Sequence, residues 1–270
     1  MFIGRERELA SLKEFYDKDG IGMTVIYGRR RIGKSTLIAE FVKDKKTIFY
    51  TATKVGKNRN LELFSQQVVD LMMPGMEDIS FHTTEAVFDF IDKNIGSDKL
   101  MIVIDELPYW AEKDEALLSI IQKYIDTTWN DKNLKIILCG SALSFMEKKV
   151  LSEKSPLFGR RDSQIKLEAF DYLDAAKFVP NYSNEDKMKF LCMFGEYPYY
   201  LSKIDTNLSF EDNIKNLLFN ENSILLDVPK LVLSSSAREQ SFYNSILLAL
   251  AGKKKGLTEI SDLMNEDATK

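Results

Sequence analysis

Eight consecutive residues, GRRRIGKS at positions 28–35, gather two glycines, three arginines, a lysine and a hydroxyl into one short bend. Gly28 and Gly33 allow the backbone to turn tightly and aim successive N–H groups inward, as a polyphosphate requires. Lys34 would reach the β and γ phosphates, and the Ser35 hydroxyl would coordinate Mg²⁺. Arg29, Arg30, Arg31 and Ile32 fill the bend, Thr36 follows it, and all count as nucleotide contacts by position. The phosphate-loop pattern GxxxxGK followed by Ser or Thr is matched at every fixed position, yet it demands no particular side chain at the three arginines. They are open to steering an anion, pairing with acids, or meeting a partner or DNA.

A phosphate loop alone hydrolyses nothing. The stretch LMIVIDELPYW brings Asp105 and Glu106 to the end of a five-residue apolar run, where open α/β sheets bind their ligands. Asp105 is expected to hold Mg²⁺, and Glu106 to orient and polarise the attacking water. In isolation, such a pair also fits a helix cap. LKIILCGSALSF ends a third apolar run at Ser141, placed either to bond phosphate or water, or to cap a helix over 142–149. In PLFGRRD, Arg160 and Arg161 suit an arginine finger offered to a neighbouring subunit or, equally, surface salt bridges.

These groups need strands that end together and helices that cover them. Strands are expected at 23–28, 47–51, 100–105, 134–140 and 164–167, several without polar alternation, as in a parallel sheet covered on both faces. Leu37, Ile38, Phe41 and Val42 recur at helical spacing behind the bend, and Leu117, Leu118, Ile121, Tyr124 and Ile125 share another helical face. The alternation predicts an α/β layer fold to about residue 170. Beyond it the chain turns helical, with Phe190, Leu191, Phe194, Ile214, Leu217 and Leu218 as core.

With 270 residues, 44% of them hydrophobic, the chain can bury a large domain and a smaller one. A net charge of -4 gives the whole molecule no general attraction to nucleic acid or anionic membrane. Two cysteines, Cys139 and Cys192, offer neither a disulfide framework nor metal-ligand spacing, which suits a reducing cytoplasm. His82 stands in a polar stretch, so zinc and Cys/His chemistry are disfavoured. No apolar run approaches the ~18 residues of a membrane span, and the early charges of MFIGRERELA do not suit an export signal. A soluble, cytoplasmic protein is expected.

Taken together, FIGRERELASL, GRRRIGKST, the run ending DELPYW, the run ending LCGS, PLFGRRD and GEYPYYL at 195–201 resemble the archaeal-type ATPases of the AAA+/STAND branch of P-loop proteins. The resemblance implies a five-stranded parallel sheet with flanking helices over 1–170, a helical lid over 171–235 and a winged helix from 236. It also implies that residues 2–6, with Ile3, Gly4 and Arg5, lie against the adenine of ATP, and that Gly195 and Pro198 close over the nucleotide. The run SFYNSILLALAGKKKGLTEISDLMNEDATK is similar to the opening of a winged helix-turn-helix, with its recognition helix expected beyond Lys270. Lys253, Lys254 and Lys255 form the basic turn there, a solvated loop or a phosphate contact.

Two functions compete. One is Mg²⁺-dependent ATP hydrolysis coupled to lid closure as a conformational switch, with self-association and DNA among its expected partners besides ATP and ADP. The other is a module that binds ATP, hydrolyses it negligibly, and organises an assembly. A GTPase should carry an asparagine-lysine-x-aspartate element, whereas the nearest stretch here is NDKN at 130–133. A small-molecule kinase lacks both an acceptor pocket and a basic lid in this sequence.

Overall fold

The computed structural model describes residues 2–76, 79–223, 225, 226, 228, 240–251 and 256–264. Strands β1 (Gly22–Tyr27), β2 (Thr47–Thr51), β3 (Leu100–Asp105), β4 (Leu134–Gly140) and β5 (Ser163–Lys166) form one sheet in the order β2-β3-β4-β1-β5. Every pairing is parallel. The apolar runs at 47–51, 100–105 and 134–140 are strands over those residues, while β1 and β5 each start and stop one residue earlier than their runs suggested. The ladder of β1 ends at Tyr27, and Gly28 lies close against the extension of β5. A methyl group there would lie 2.3 Å from the Leu167 carbonyl oxygen, which only glycine can tolerate.

Parallel strands need crossovers, and the helices supply them. Helix α1 (Glu6–Asp17) precedes the sheet, and α2 (Lys34–Val42) follows β1. Helices α3 (Lys57–Met72) and α4 (Thr84–Asn94) join β2 to β3, while α5 (Leu107–Ala111) and α6 (Leu117–Asp126) join β3 to β4. Strand residues alternate between faces: Val25, Ile102 and Ile136 enter one core with α3 to α6, while Ile26, Val103 and Ile137 enter another with α1 and α2. The helical face read at Leu117, Leu118, Ile121, Tyr124 and Ile125 is buried in the first core.

Aromatic rings hold that core against the end of β3. Trp110, fully buried just after Asp105 and Glu106, lies 5.6 Å from Tyr50 and 5.4 Å from Phe64. Asn60 fixes the turn from β2 into α3. It accepts from the Tyr50 hydroxyl at 2.6 Å and from Thr53 N at 3.0 Å, and donates to the Thr53 and Val55 carbonyls.

Two expectations are corrected. Residues 142–149 are not one α-helix: a short turn α7 (Leu143–Phe145) runs into a π-helical turn, Met146–Val150, closed by Leu151 N to Met146 O at 2.9 Å. Beyond residue 170 the helices are interrupted. Among the described residues they are α8 (Tyr172–Ala176), α9 (Asn184–Phe194), α10 (Pro198–Leu201), α11 (Phe210–Leu218), and the helices Gln240–Leu250 and Leu257–Met264. Phe190, Leu191 and Phe194 are buried, but Ile214, Leu217 and Leu218 are only half-buried, and Asn213 takes the interior position on α11. Its amide is satisfied there, donating to the Tyr182 hydroxyl and the Asp205 and Ser209 carbonyls and accepting from Asp205 N.

The chain divides into two compact units, Met1–Pro180 with Lys187–Ser202, and Asn181–Asp186 with Lys203–Lys270. The basic turn Lys253, Lys254 and Lys255 lies outside the described residues, as does the boundary at 235. No helix among the described residues is long and apolar enough to cross a membrane.

Replacing the buried Trp110 by alanine should cost about 3–5 kcal/mol, whereas the same change at the exposed Leu173 should stay within about 0.5 kcal/mol. Urea unfolding checks both, with a lowered midpoint at unchanged slope for Trp110→Ala.

Candidate functional site

Strand β4 lies between β1 and β3, so three adjacent strands end at one edge. Gly28 follows β1, Asp105 closes β3, and Ser141 follows β4. The parallel ladder therefore brings together groups that stand 36 or more residues apart in sequence, since Ile104 pairs with Leu138 and Tyr27 with Gly140.

The bend after β1 is held open by its own backbone. Arg31 and Gly33 take left-handed conformations, φ 66° and 90°, and α2 starts at Lys34 with no side chain capping it. The orphan amides of that first turn point at solvent or at an anion. Lys34 is buried and its ammonium donates to the carbonyls of Gly28 and Arg29, both at 3.0 Å. Ser35 and Thr36 are exposed at the mouth.

Ser35 Oγ donates to Asp105 Oδ2 at 2.6 Å, and Asp105 Oδ1 accepts from Glu106 N at 2.9 Å. Asp105 is nearly enclosed, at 2% exposure. Beneath it, burial and the adjacent Asp105 carboxylate push the Cys139 thiol pKa well up, so the sulfur stays protonated. Glu106 takes a left-handed turn, φ 49°, at the start of α5. Its Oε2 accepts from Ser141 Oγ at 2.7 Å and from Ser141 N at 3.2 Å.

The two hard oxygens of Ser35 and Asp105 suit a magnesium ion. Among the described residues no three His, Cys, Asp or Glu side chains converge as a metal site, so such an ion would lean on few protein ligands. An ion here would share those two groups with water and phosphate oxygens, the usual manner of Mg²⁺.

The arginines divide. Arg29 is exposed. Arg30 donates to the hydroxyl of Tyr109 on α5. Arg31 donates to the Tyr200 hydroxyl at 3.2 Å and stacks 4.9 Å from the Tyr199 ring centre. Ile32 is buried, and its carbonyl accepts from Arg5 Nη2 at 3.2 Å. Arg5 is itself buried, donating to Glu168 O at 2.7 Å and stacked 4.1 Å over Phe170. Its guanidinium thus fastens the N-terminal segment to the loop and to the chain after β5. Ile3 is half-buried and Gly4 buried beside it. A methyl group on Gly33 would lie 3.5 Å from Pro198 Cγ, so the proline ring roofs the bend.

Arg160 stands apart from these groups, chelating Asp126 at 2.9 and 3.0 Å. Arg161 donates to Leu151 O at 2.8 Å. Of the two roles open to Arg160, the ion pair is the one formed in the structure.

Sequence reasoning singled out none of the tyrosines that hold the arginines. A signal was present: Tyr109 and Tyr199 each follow a proline at a helix start, in LPYW and YPYY.

The site's residues fall within a recognised sequence family. Residues 2–204 match the model for an ATPase domain predominantly from Archaea. The Methanocaldococcus jannaschii protein MJECL04 is 31% identical over 264 residues, 98% of this chain and 57% of that protein. The chain thus spans little more than half the length of that relative. Among solved structures, a Walker-type ATPase of Pyrococcus abyssi aligns over 98% of this chain and 88% of its own, with TM-score 0.63 and 19% identity. The Orc1 protein of Aeropyrum pernix, solved in complex with DNA, aligns over 98% and 77%, with TM-score 0.52 and 12% identity. At those identities the likeness establishes the α/β fold, a five-stranded parallel sheet flanked by helices. The family match covers the phosphate loop, both carboxylates and the Pro198 turn, and on it this protein belongs to the archaeal ATPase-domain family of P-loop proteins.

Proposed function

We propose that this protein binds ATP with Mg²⁺ at the 28–36 bend and hydrolyses it, using the cycle as a conformational switch. The observation that carries this is the meeting of Ser35, Asp105, Glu106 and Ser141 at the ends of three adjacent strands. The loop amides and the first turn of α2 would cradle the phosphates. Lys34 would exchange a loop carbonyl for a phosphate oxygen. Ser35 and Asp105 would hold Mg²⁺, which when bound neutralises charge on the β and γ phosphates.

Glu106 is the group to orient water. Ser141 donates twice to Oε2, which leaves Oε1 to accept from the nucleophile and polarise it. The water oxygen then bonds to the γ-phosphorus as the bond to the β–γ bridging oxygen breaks and a water proton passes to Glu106 Oε1 and on to the phosphate, releasing ADP and phosphate. Arg5 being turned inward, contact with the base would fall to the chain at Ile3 and Gly4, with Pro198 as roof. We extend the switch to self-association, and to a DNA contact through a winged helix that Gln240–Leu250 and Leu257–Met264 would begin.

A second function, ATP held as an assembly signal with negligible turnover, is favoured by one observation. The guanidinium groups of Arg160 and Arg161 are engaged at Asp126 and Leu151, so neither can serve as a finger without giving up that partner.

Lys34→Ala should weaken ATP binding by on the order of a hundredfold, the loss of a charge-assisted contact. Glu106→Gln should keep affinity and lose turnover by about 10² or more. Calorimetric titration and phosphate release measure the two, and a Glu106→Gln protein turning over at the parent rate would remove that carboxylate from the chemistry. Phosphate release per molecule should rise with protein concentration if Arg160 or Arg161 acts between copies. A flat, near-zero rate beside tight binding selects the assembly function instead.

A further inference from the structure

Arg31 occupies a loop position at which phosphate chemistry needs no side chain, and it adopts a left-handed backbone, φ 66°, disfavoured for a residue with a Cβ. Such a conformation persists when surrounding contacts over-determine it, and here those contacts come from the turn α10. Arg31 Nη1 donates to the Tyr200 hydroxyl at 3.2 Å, and the guanidinium carbon lies 4.9 Å from the Tyr199 ring centre and 5.8 Å from that of Tyr200. The two rings meet edge to face at 5.5 Å, forming a corner into which the planar cation fits.

The turn needs such an anchor. Pro198–Leu201 is four residues long, too short to hold itself as a helix. Its inner side is fixed by the buried Leu201 and by Tyr197 against the α1 and α2 core. Its outer side is fixed by Arg31. Between these supports sits Pro198, the ring that covers Gly33.

We propose that Arg31 is a positioning residue that fastens the Pro198–Leu201 turn onto the phosphate loop and thereby sets how long a nucleotide stays bound. This rests on the loop being the nucleotide site. The agent is the guanidinium set against both rings and hydrogen-bonded to Tyr200, and lysine, which keeps the charge, cannot reproduce its planar fork.

The test has two arms. In nucleotide-free protein, hydrogen exchange at the amides of Tyr200, Leu201 and Ser202, bonded to Tyr197 O and Pro198 O, should quicken severalfold in both Arg31→Met and Arg31→Lys. Tyr200→Phe, which keeps the ring and loses the hydroxyl, should show a smaller rise. In stopped flow, a fluorescent ATP analogue should leave Arg31→Met about fivefold to thirtyfold faster, the span of a partly exposed to a desolvated cation–π contact, and Arg31→Lys faster than the parent by a smaller factor, since only the fork is lost. The on-rate of Arg31→Lys should stay within about threefold, because its charge is kept. A Tyr199→Leu/Tyr200→Leu protein should release as fast as Arg31→Met, and adding Arg31→Met to it should change little, the non-additivity of groups that act together. Unchanged exchange in Arg31→Met, or Arg31→Lys behaving as the parent in both arms, would overturn the proposal. Failure of the parent protein to bind the analogue would instead remove the nucleotide site, and the exchange arm would still decide whether Arg31 holds the turn.

Discussion

The hydroxyl of Ser35 and the carboxylate of Asp105 meet at 2.6 Å across a strand that belongs to neither. That bond is available only because β4 spaces β1 from β3 by one ladder position while the parallel register keeps all three ends level. A slip of one residue in any pairing would turn the end of that strand to the opposite face of the sheet. The site is thus a consequence of register, and register is fixed by two cores whose apolar residues alternate between the faces. Trp110 and the rings around it lock α5, so Glu106 starts that helix in the one place where Ser141 can reach it.

Four of the charged groups at this edge have protein partners. Lys34 has two loop carbonyls, Glu106 has Ser141, Arg30 has Tyr109, and Arg31 has Tyr199 and Tyr200. A phosphate or water entering the site exchanges one hydrogen bond for another, so the net gain per contact is small compared with the strength of each bond alone. Binding at such an edge is decided by how many groups can turn to the ligand without leaving a buried atom unpaired. Lys34, with three donors and two carbonyl partners, can do so.

Much of this was legible in the residues. Continuous apolar runs mark strands covered on both faces, and β2, β3 and β4 were readable to the residue. At β1 the limit is not marked in the residues: the ladder ends at Tyr27, and Gly28 lies close against Leu167, a residue distant in sequence. The interior of α11 was misjudged for a related reason. Asn213 is buried because carbonyls and a hydroxyl from other segments converge on its amide, and no local pattern announces such a network. The resemblance places Arg5 against the adenine; in the structure its guanidinium meets Glu8, three residues on, and the Ile32 and Glu168 carbonyls, which only the folded chain brings to it.

The triple arginine is where local pattern and fold separate most clearly. From the sequence it is a block of charge, and charge alone would act at long range and be weakened by salt. In the structure, two of the three are short-range fittings, and they grip different elements: Arg30 takes α5, which carries Glu106 at its start, and Arg31 takes α10, which carries Pro198. Both grips end on a tyrosine hydroxyl, an acceptor that asks for a directed donor, and arginine presents five such donors in a rigid fork. The loop is therefore tied through its own side chains to the helix behind the acidic pair and to the turn that roofs Gly33. A change in the loop backbone therefore bears first on these two contacts, Arg30 with Tyr109 and Arg31 with Tyr200, rather than on the packed cores on either side of the sheet, which deform little.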